Sequence, residues 1–201
     1  MPPESNKPDF KTIIGKLSAA MRLLDTGDLA ELRRMATDGP GCAAFWHLAA
    51  WCGFIEAANQ TDAWMKIVRI MAILTPKGET PKGKTPEGER SGVPLLHDPA
   101  NPFGRTLCDG GDPAWSAESG PLLSETRLMR FLAESDRRGE TLERLARMLA
   151  AKRKSESGVD CTVIAALILF PNSEATLRDI ARTYYQRLDR ATRKAQEKEN
   201  V

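Results

Sequence analysis

From Thr75 to Gly92 the chain reads TPKGETPKGKTPEGERSG, a near-repeat of Thr-Pro-x-Gly with a helix breaker every few residues. Proline lacks the amide that a helix or central strand needs, and repeated glycine is costly to hold in either. The stretch has no large apolar side chain to bury, so it reads as a mobile surface loop. Irregular composition continues through HDPANPFGRTLCDGGDPAWSAESGP, relieved only by a short turn at NPFGRTL. Loops of this length are usually functional or disordered. The chain is therefore expected to divide around this break: a small N-terminal helical domain over 1–75, a long irregular region over 76–121 with 77–92 its mobile part, and a C-terminal antiparallel helical bundle over 122–201.

Both flanks carry helical periodicity. Phe10, Ile13, Ile14, Leu17, Met21 and Leu24 recur at three- and four-residue spacing, which predicts one apolar helix face from Phe10 to Leu24. Gly27 then supplies a turn and Asp28 an N-cap for LAELRRM. A helix lies within CAAFWHLAAWCGFIEAA, and another runs from Asp62 to Leu74, stopped by Thr75-Pro76. After the break the pattern predicts helices over 124–136, 141–153, 159–170 and 173–196, with Ser124, Thr141 and Ser173 as N-caps and Gly139 and Gly158 as stops. VIAALILF has strand-like composition, but its helical neighbours favour a buried helix. The fold class is all-α.

A chain of 201 residues with 41% hydrophobic side chains can bury a substantial core. Its formal charge is only +2, so the overall balance announces no polyanionic partner and any electrostatic argument must be local. Cys42, Cys52, Cys108 and Cys161 form no C-x-x-C pair and read as buried thiols. The start MPPESNKPDF has no signal-peptide order, and no apolar run is long enough for a membrane span, so a cytoplasmic protein with no membrane partner is expected.

Local charge is more informative. On a wheel, the helix after Ser124 places Leu128, Met129, Phe131 and Leu132 on one side and Arg127, Arg130 and Arg137 on the other. The next helix places Leu142, Leu145 and Leu149 inward and Arg144, Arg147 and Lys154 outward. Both sets share one series of offsets, so two neighbouring helices with aligned outer faces would present parallel basic ridges. From Leu122 to Lys154 there are nine basic residues, Lys152 and Arg153 among them, against five acidic ones. Glu134 falls within the first stripe and weakens it. Such a surface is either an ordinary solvated face with i,i+4 pairs such as Glu140 with Arg144, or a phosphate track, for which the forked guanidinium is suited. Base stacking is poorly provided for: Phe45, Trp46, Trp51, Phe54 and Trp64 lie in apolar helices and read as core, leaving Phe103 and Trp115 in loops.

Catalytic chemistry finds little support. His47 and His97 are the only histidines and lack metal-ligand spacing, the carboxylates are scattered, and the GKT at Gly83 lacks the glycine spacing of a phosphate-binding loop. No enzyme, metal or cofactor is expected.

Several stretches taken in order, LDTGDLAELRRM, AAFWHLAAWCGF, NPFGRTL, LLSETRLMRFLAESD and LERLARMLAAKRKSESGVDCTVIAALILF, resemble the CasB family, the small subunit of the type I-E CRISPR Cascade complex. The resemblance spans residues 10 to 190 and rests on the ordered set rather than on one motif. It implies an all-helical, non-catalytic subunit, two copies of which lie along an RNA-guided surveillance complex. Its implied partners are the other Cascade subunits, the guide crRNA, the target DNA strand and the displaced single-stranded DNA. Matched by motif, Arg33 and Arg34 fall on a paired-arginine motif, Arg105 on a G-R-x-L element, Arg127 and Arg130 in S-E-x-R, and Arg147 on the following basic helix. Arg137, Arg144, Lys152 and Arg153 complete the expected nucleic-acid-binding set. Departures are the long Thr-Pro-x-Gly and CDGGDPAWSAESGP stretches and Cys161 where the family pattern has tryptophan. Arg34 in particular has the alternative of capping its helix C-terminus, which Arg33 and Arg34 both favour electrostatically. The rival expectations are a helical adaptor that binds only protein, with its basic stripes merely solvated, and a DNA-binding regulator, for which no recognition helix is apparent.

Overall fold

The computed structural model describes residues 9–56, 60–76, 96–153 and 157–199. The expected mobile loop over 77–92 lies outside them, as does Lys154. Among the described residues the protein is all-helical: α1 (Phe10–Met21), α2 (Thr26–Arg34), α3 (Ala43–Cys52), α4 (Thr61–Leu74), α5 (Phe103–Asp109), α6 (Glu125–Ala133), α7 (Arg138–Lys152), α8 (Cys161–Leu169) and α9 (Glu174–Glu199). A 3-10 turn at Ala117–Ser119 and an isolated parallel bridge between His97 and Val159 complete it. No described helix is long and apolar enough to cross a membrane.

Most elements form where periodicity places them, and boundaries shift where capping chemistry overrides it. The Asp25 carboxylate accepts the Asp28 amide at 2.8 Å, so Asp25, not Asp28, is the N-cap and α2 begins at Thr26. The preceding helix accordingly stops at Met21 rather than Leu24. Gly53 closes α3 in the left-handed conformation, φ 84°. VIAALILF is helical up to Leu169, within α8, with Phe170 as its C-cap, and the first turn is capped by Asp160 accepting from the Thr162 amide at 2.9 Å. Helix α6 ends at Ala133, three residues before the expected limit, and α7 begins at Arg138, three before its own. Thr141 is thus inside α7, its hydroxyl donating to Glu134 at 2.6 Å, and Gly139 is a first-turn residue rather than a stop. The buried Arg138 draws this start inward, donating to the carbonyls of Pro171 and Leu132.

Residues 96–111, expected to be irregular apart from a short turn at NPFGRTL, are largely buried and carry α5. Leu96, Phe103, Leu107 and Cys108 are buried, and α5 is packed along α9. Leu122 and Leu123 amides reach back to the Cys108 and Leu107 carbonyls at 2.8 and 2.9 Å, and Tyr184 donates to the Leu123 carbonyl at 2.6 Å. Phe103, expected in a loop, is 1% exposed. The two helical halves also share one continuous core. Helix α4 rests on α7 and α8, α1 on α8, and a single cluster of buried side chains runs from Ile13 to Tyr184.

Cys108 and Cys161 lie in this core, and burial first, then Asp109 beside one and Asp160 beside the other, pushes both thiols up to about 12. An unfolded thiol ionises near pH 9, so above that the unfolded state binds fewer protons than the folded one. The stabilising preference is complete below about pH 9 and is lost as pH rises toward 12, by about 1.4 kcal/mol per unit for each thiol. Urea midpoints are expected to fall between pH 7 and pH 10, and less so in C108A/C161A. An equal fall in both proteins would refute the assignment to these thiols.

Candidate nucleic-acid interface

The structure sorts the ten expected cations into three groups. The first is structural. Arg33 donates from α2 to the Ala72 and Thr75 carbonyls at 2.9 and 3.2 Å, and Arg153 reaches Leu74 at 2.9 Å from beyond α7. Together they cap the C-terminus of α4, where carbonyls lack intrahelical donors and the dipole is negative. Desolvation by burial lowers the pKa of both guanidinium groups. Arg105 lies one turn before Asp109 and pairs with its carboxylate at 3.2 Å.

The second group is paired on its own helix. Arg144 faces Glu140 at 3.7 Å, the pair expected of a solvated face. Arg147 meets Glu143 at 2.5 Å, and the same carboxylate bridges to Arg69 of α4 at 3.0 Å. Exposed pairs of this kind contribute little to stability, yet each occupies charge that a phosphate would need.

The third group is available. Arg127, Arg130, Arg137 and Lys152 are exposed, and none of their side chains has an ion-pair or hydrogen-bond partner among the described residues. Arg34 is also exposed and donates only to the Ala30 carbonyl of its own last turn, at 3.2 Å. Arg127 and Arg130 stand one turn apart on the outer side of α6, whose inner side buries Leu128 and Phe131. Of the nearby carboxylates, Glu134 accepts the Thr141 hydroxyl at 2.6 Å, and neither it nor Glu125 forms an ion pair with these arginines among the described residues. The hydroxyl is a neutral donor, so Glu134 keeps the negative charge that its wheel position sets against the stripe.

The parallel ridges do not form as a pair. Helix α6 rests against α9 and α7 against α4, with no extended contact between α6 and α7. Arg137 belongs to the start of α7 rather than to the α6 stripe. Met129, expected inward, is 52% exposed, because α6 meets the body along Leu128, Phe131 and the half-buried Leu132.

Several residues escaped the sequence reading. Arg187 is a core cation, bound to Asp109 at 2.5 Å and lying 5.3 Å from the centre of the Trp115 ring. Arg190, Arg193 and Lys194 on α9, and Lys11, Lys16 and Arg22 on or beside α1, are exposed without partners among the described residues. Trp51, read as core, is 77% exposed. The absence of acidic residues in FKTIIGKLSAAM was the signal available for Lys11 and Lys16. No group of three or more His, Cys, Asp or Glu among the described residues is arranged to hold a metal.

Fold and surface together define an all-helical protein with a shared core and, among the described residues, dispersed exposed cations of which some have no side-chain partner. No protein-family model, curated protein or solved structure matches the chain.

Proposed function

We propose that this chain is a non-catalytic, nucleic-acid-stabilising subunit of an RNA-guided surveillance complex of the Cascade kind, resident in the cytoplasm. The observation that carries the reading is the outer face of α6, where Arg127 and Arg130 stand exposed one turn apart with no ion-pair partner among the described residues. Such a face suits phosphate oxygens without reading bases. The ordered motifs that resemble the CasB family add the assembly context: guide RNA, target strand, displaced strand, neighbouring subunits and a second copy of the chain as partners. Lys152, Arg34 and Arg137 are candidate additional contacts. Arg33, Arg105 and Arg153 are assigned instead to holding the fold.

A second reading, a protein-only helical adaptor, draws on Arg144 and Arg147, whose partners are those of a solvated face. A salt series with fluorescent single-stranded DNA separates the two. For R127E/R130E the fold is expected to be unchanged, since exposed substitutions usually shift stability by under about 0.5 kcal/mol. Affinity is expected to fall at least tenfold, with the log–log salt slope reduced by about 1.4, from about 0.7 per lost phosphate contact on a single strand. Salt-independent binding, or none by the unaltered protein, would favour the adaptor.

A further inference from the structure

Helix α3, AAFWHLAAWC, has no charged residue on any side. A helix apolar all round is ordinarily buried, and this one is not. Its inner side buries Ala44, Phe45, Leu48, Ala49 and Cys52, while Ala43, Trp46, His47, Ala50 and Trp51 face outward. Trp46 is 40% exposed, its indole N–H fixed on the Pro40 carbonyl at 2.9 Å and its ring 5.0 Å from that of Phe45. Trp51 has no such support, and at 77% exposed its indole presents most of its surface to solvent. An aromatic surface of this kind marks a binding site rather than a packing one.

What lies beside it indicates the occupant. Helix α1 packs against α3 and turns Lys11, Thr12, Lys16 and Ala19 outward, followed by Arg22. There is no acidic residue from Phe10 to Met21, and Lys11, Lys16 and Arg22 have no ion-pair partner among the described residues. Lys16 comes close enough to the end of α3 for its charge to act on the Cys52 thiol, opposing the larger upward effect of burial. The nearest carboxylates in sequence, Asp9, Asp25 and Glu56, stand outside both helices, and Glu31 of α2 acts at the opposite end of α3, on Cys42. An apolar protein groove would leave these cations unmatched, whereas a single strand offers base faces for the indole and phosphates for the ammonium groups.

We infer that the joint outer face of α1 and α3 is a second binding surface for single-stranded nucleic acid, with Trp51 stacking on a base and Lys11 and Lys16 contacting the adjoining backbone. It rests on the reading of the chain as a nucleic-acid-binding subunit but uses none of the α6 residues. Because stacked base pairs hide their faces, this surface discriminates single strands from duplex.

The test uses the full chain, a fluorescent oligodeoxythymidylate carrying 5-iododeoxyuridine, and four proteins: unaltered, W51A, W51F and R127E/R130E. W51A is expected to lose about tenfold in affinity with an unchanged salt slope, since stacking and not a phosphate contact is removed. W51F should recover most of that loss, and irradiation should cross-link the probe at Trp51. Binding by the unaltered protein that W51A retains, with cross-links elsewhere, would overturn this inference and leave the α6 reading standing. No binding by the unaltered protein would overturn both. Unchanged affinity in W51A together with loss of self-association in sedimentation would reassign the face to protein contact.

Discussion

Replacing Asp109 with alanine is expected to destabilise the protein by about 3–5 kcal/mol, the range for breaking a buried ion pair from one side. The Asp109 side chain is 0% exposed and accepts three hydrogen bonds, from Arg187 at 2.5 Å, Arg105 at 3.2 Å and the Gly111 amide at 2.8 Å. Arg105 can turn to solvent when the carboxylate goes. Arg187 cannot: its side chain is 13% exposed, enclosed by α5, the Asp112 carbonyl and the Trp115 ring. For a domain of this size the loss corresponds to about 10 °C in melting temperature. Removing the stranded charge as well, in D109A/R187L, should recover part of it, because an apolar pair often substitutes for a buried ionic one. A melting temperature within about 2 °C of the unaltered protein in D109A would show that Arg187 finds another anion and that the cluster is not the hinge of the α5–α9 packing.

The second large effect is expected at Gly104. A methyl group there would overlap the Ile180 carbonyl oxygen and Thr183 Oγ1, with the Ile180 carbonyl carbon only 2.9 Å away. Those are mostly backbone atoms of α9, which cannot swing aside as a side chain can. Alanine normally stabilises a helix over glycine by up to about 1 kcal/mol. At Gly104 the sign should reverse, to a loss of about 3 kcal/mol, near the upper end for overpacking. Gly139 is the matched control, since it lies in α7 with nothing within 4 Å of its added methyl. Urea unfolding of G104A and G139A should therefore shift in opposite directions. A shift of G104A in the same direction as G139A would mean that α5 does not approach α9 this closely.

How far the candidate surface could be read from sequence differs from residue to residue. Arg127 and Arg130 were legible as an outward pair because the wheel of a single helix decides it locally. Arg33 and Arg153 were equally basic in sequence, yet both turn to the C-terminus of α4, thirty-nine and seventy-nine positions away. Only the tertiary arrangement brings those carbonyls within reach. Trp51 failed in the opposite direction. Apolar composition predicts burial, but it cannot say which side of an all-apolar helix receives a partner.

The sequence by itself determined that the chain is helical on both sides of a Pro/Gly-rich break, that α4 stops at Thr75-Pro76 and that Leu142, Leu145 and Leu149 face inward. These depend on periodicity and on proline chemistry, which act over a few residues. The tertiary structure alone decided that Leu96 and α5 belong to the core and that the two helical halves share it. It also decided which arginines remain available to a polyanion. A guanidinium commits to whichever carboxylate or carbonyl the fold brings near, and that choice is made between segments distant in the chain.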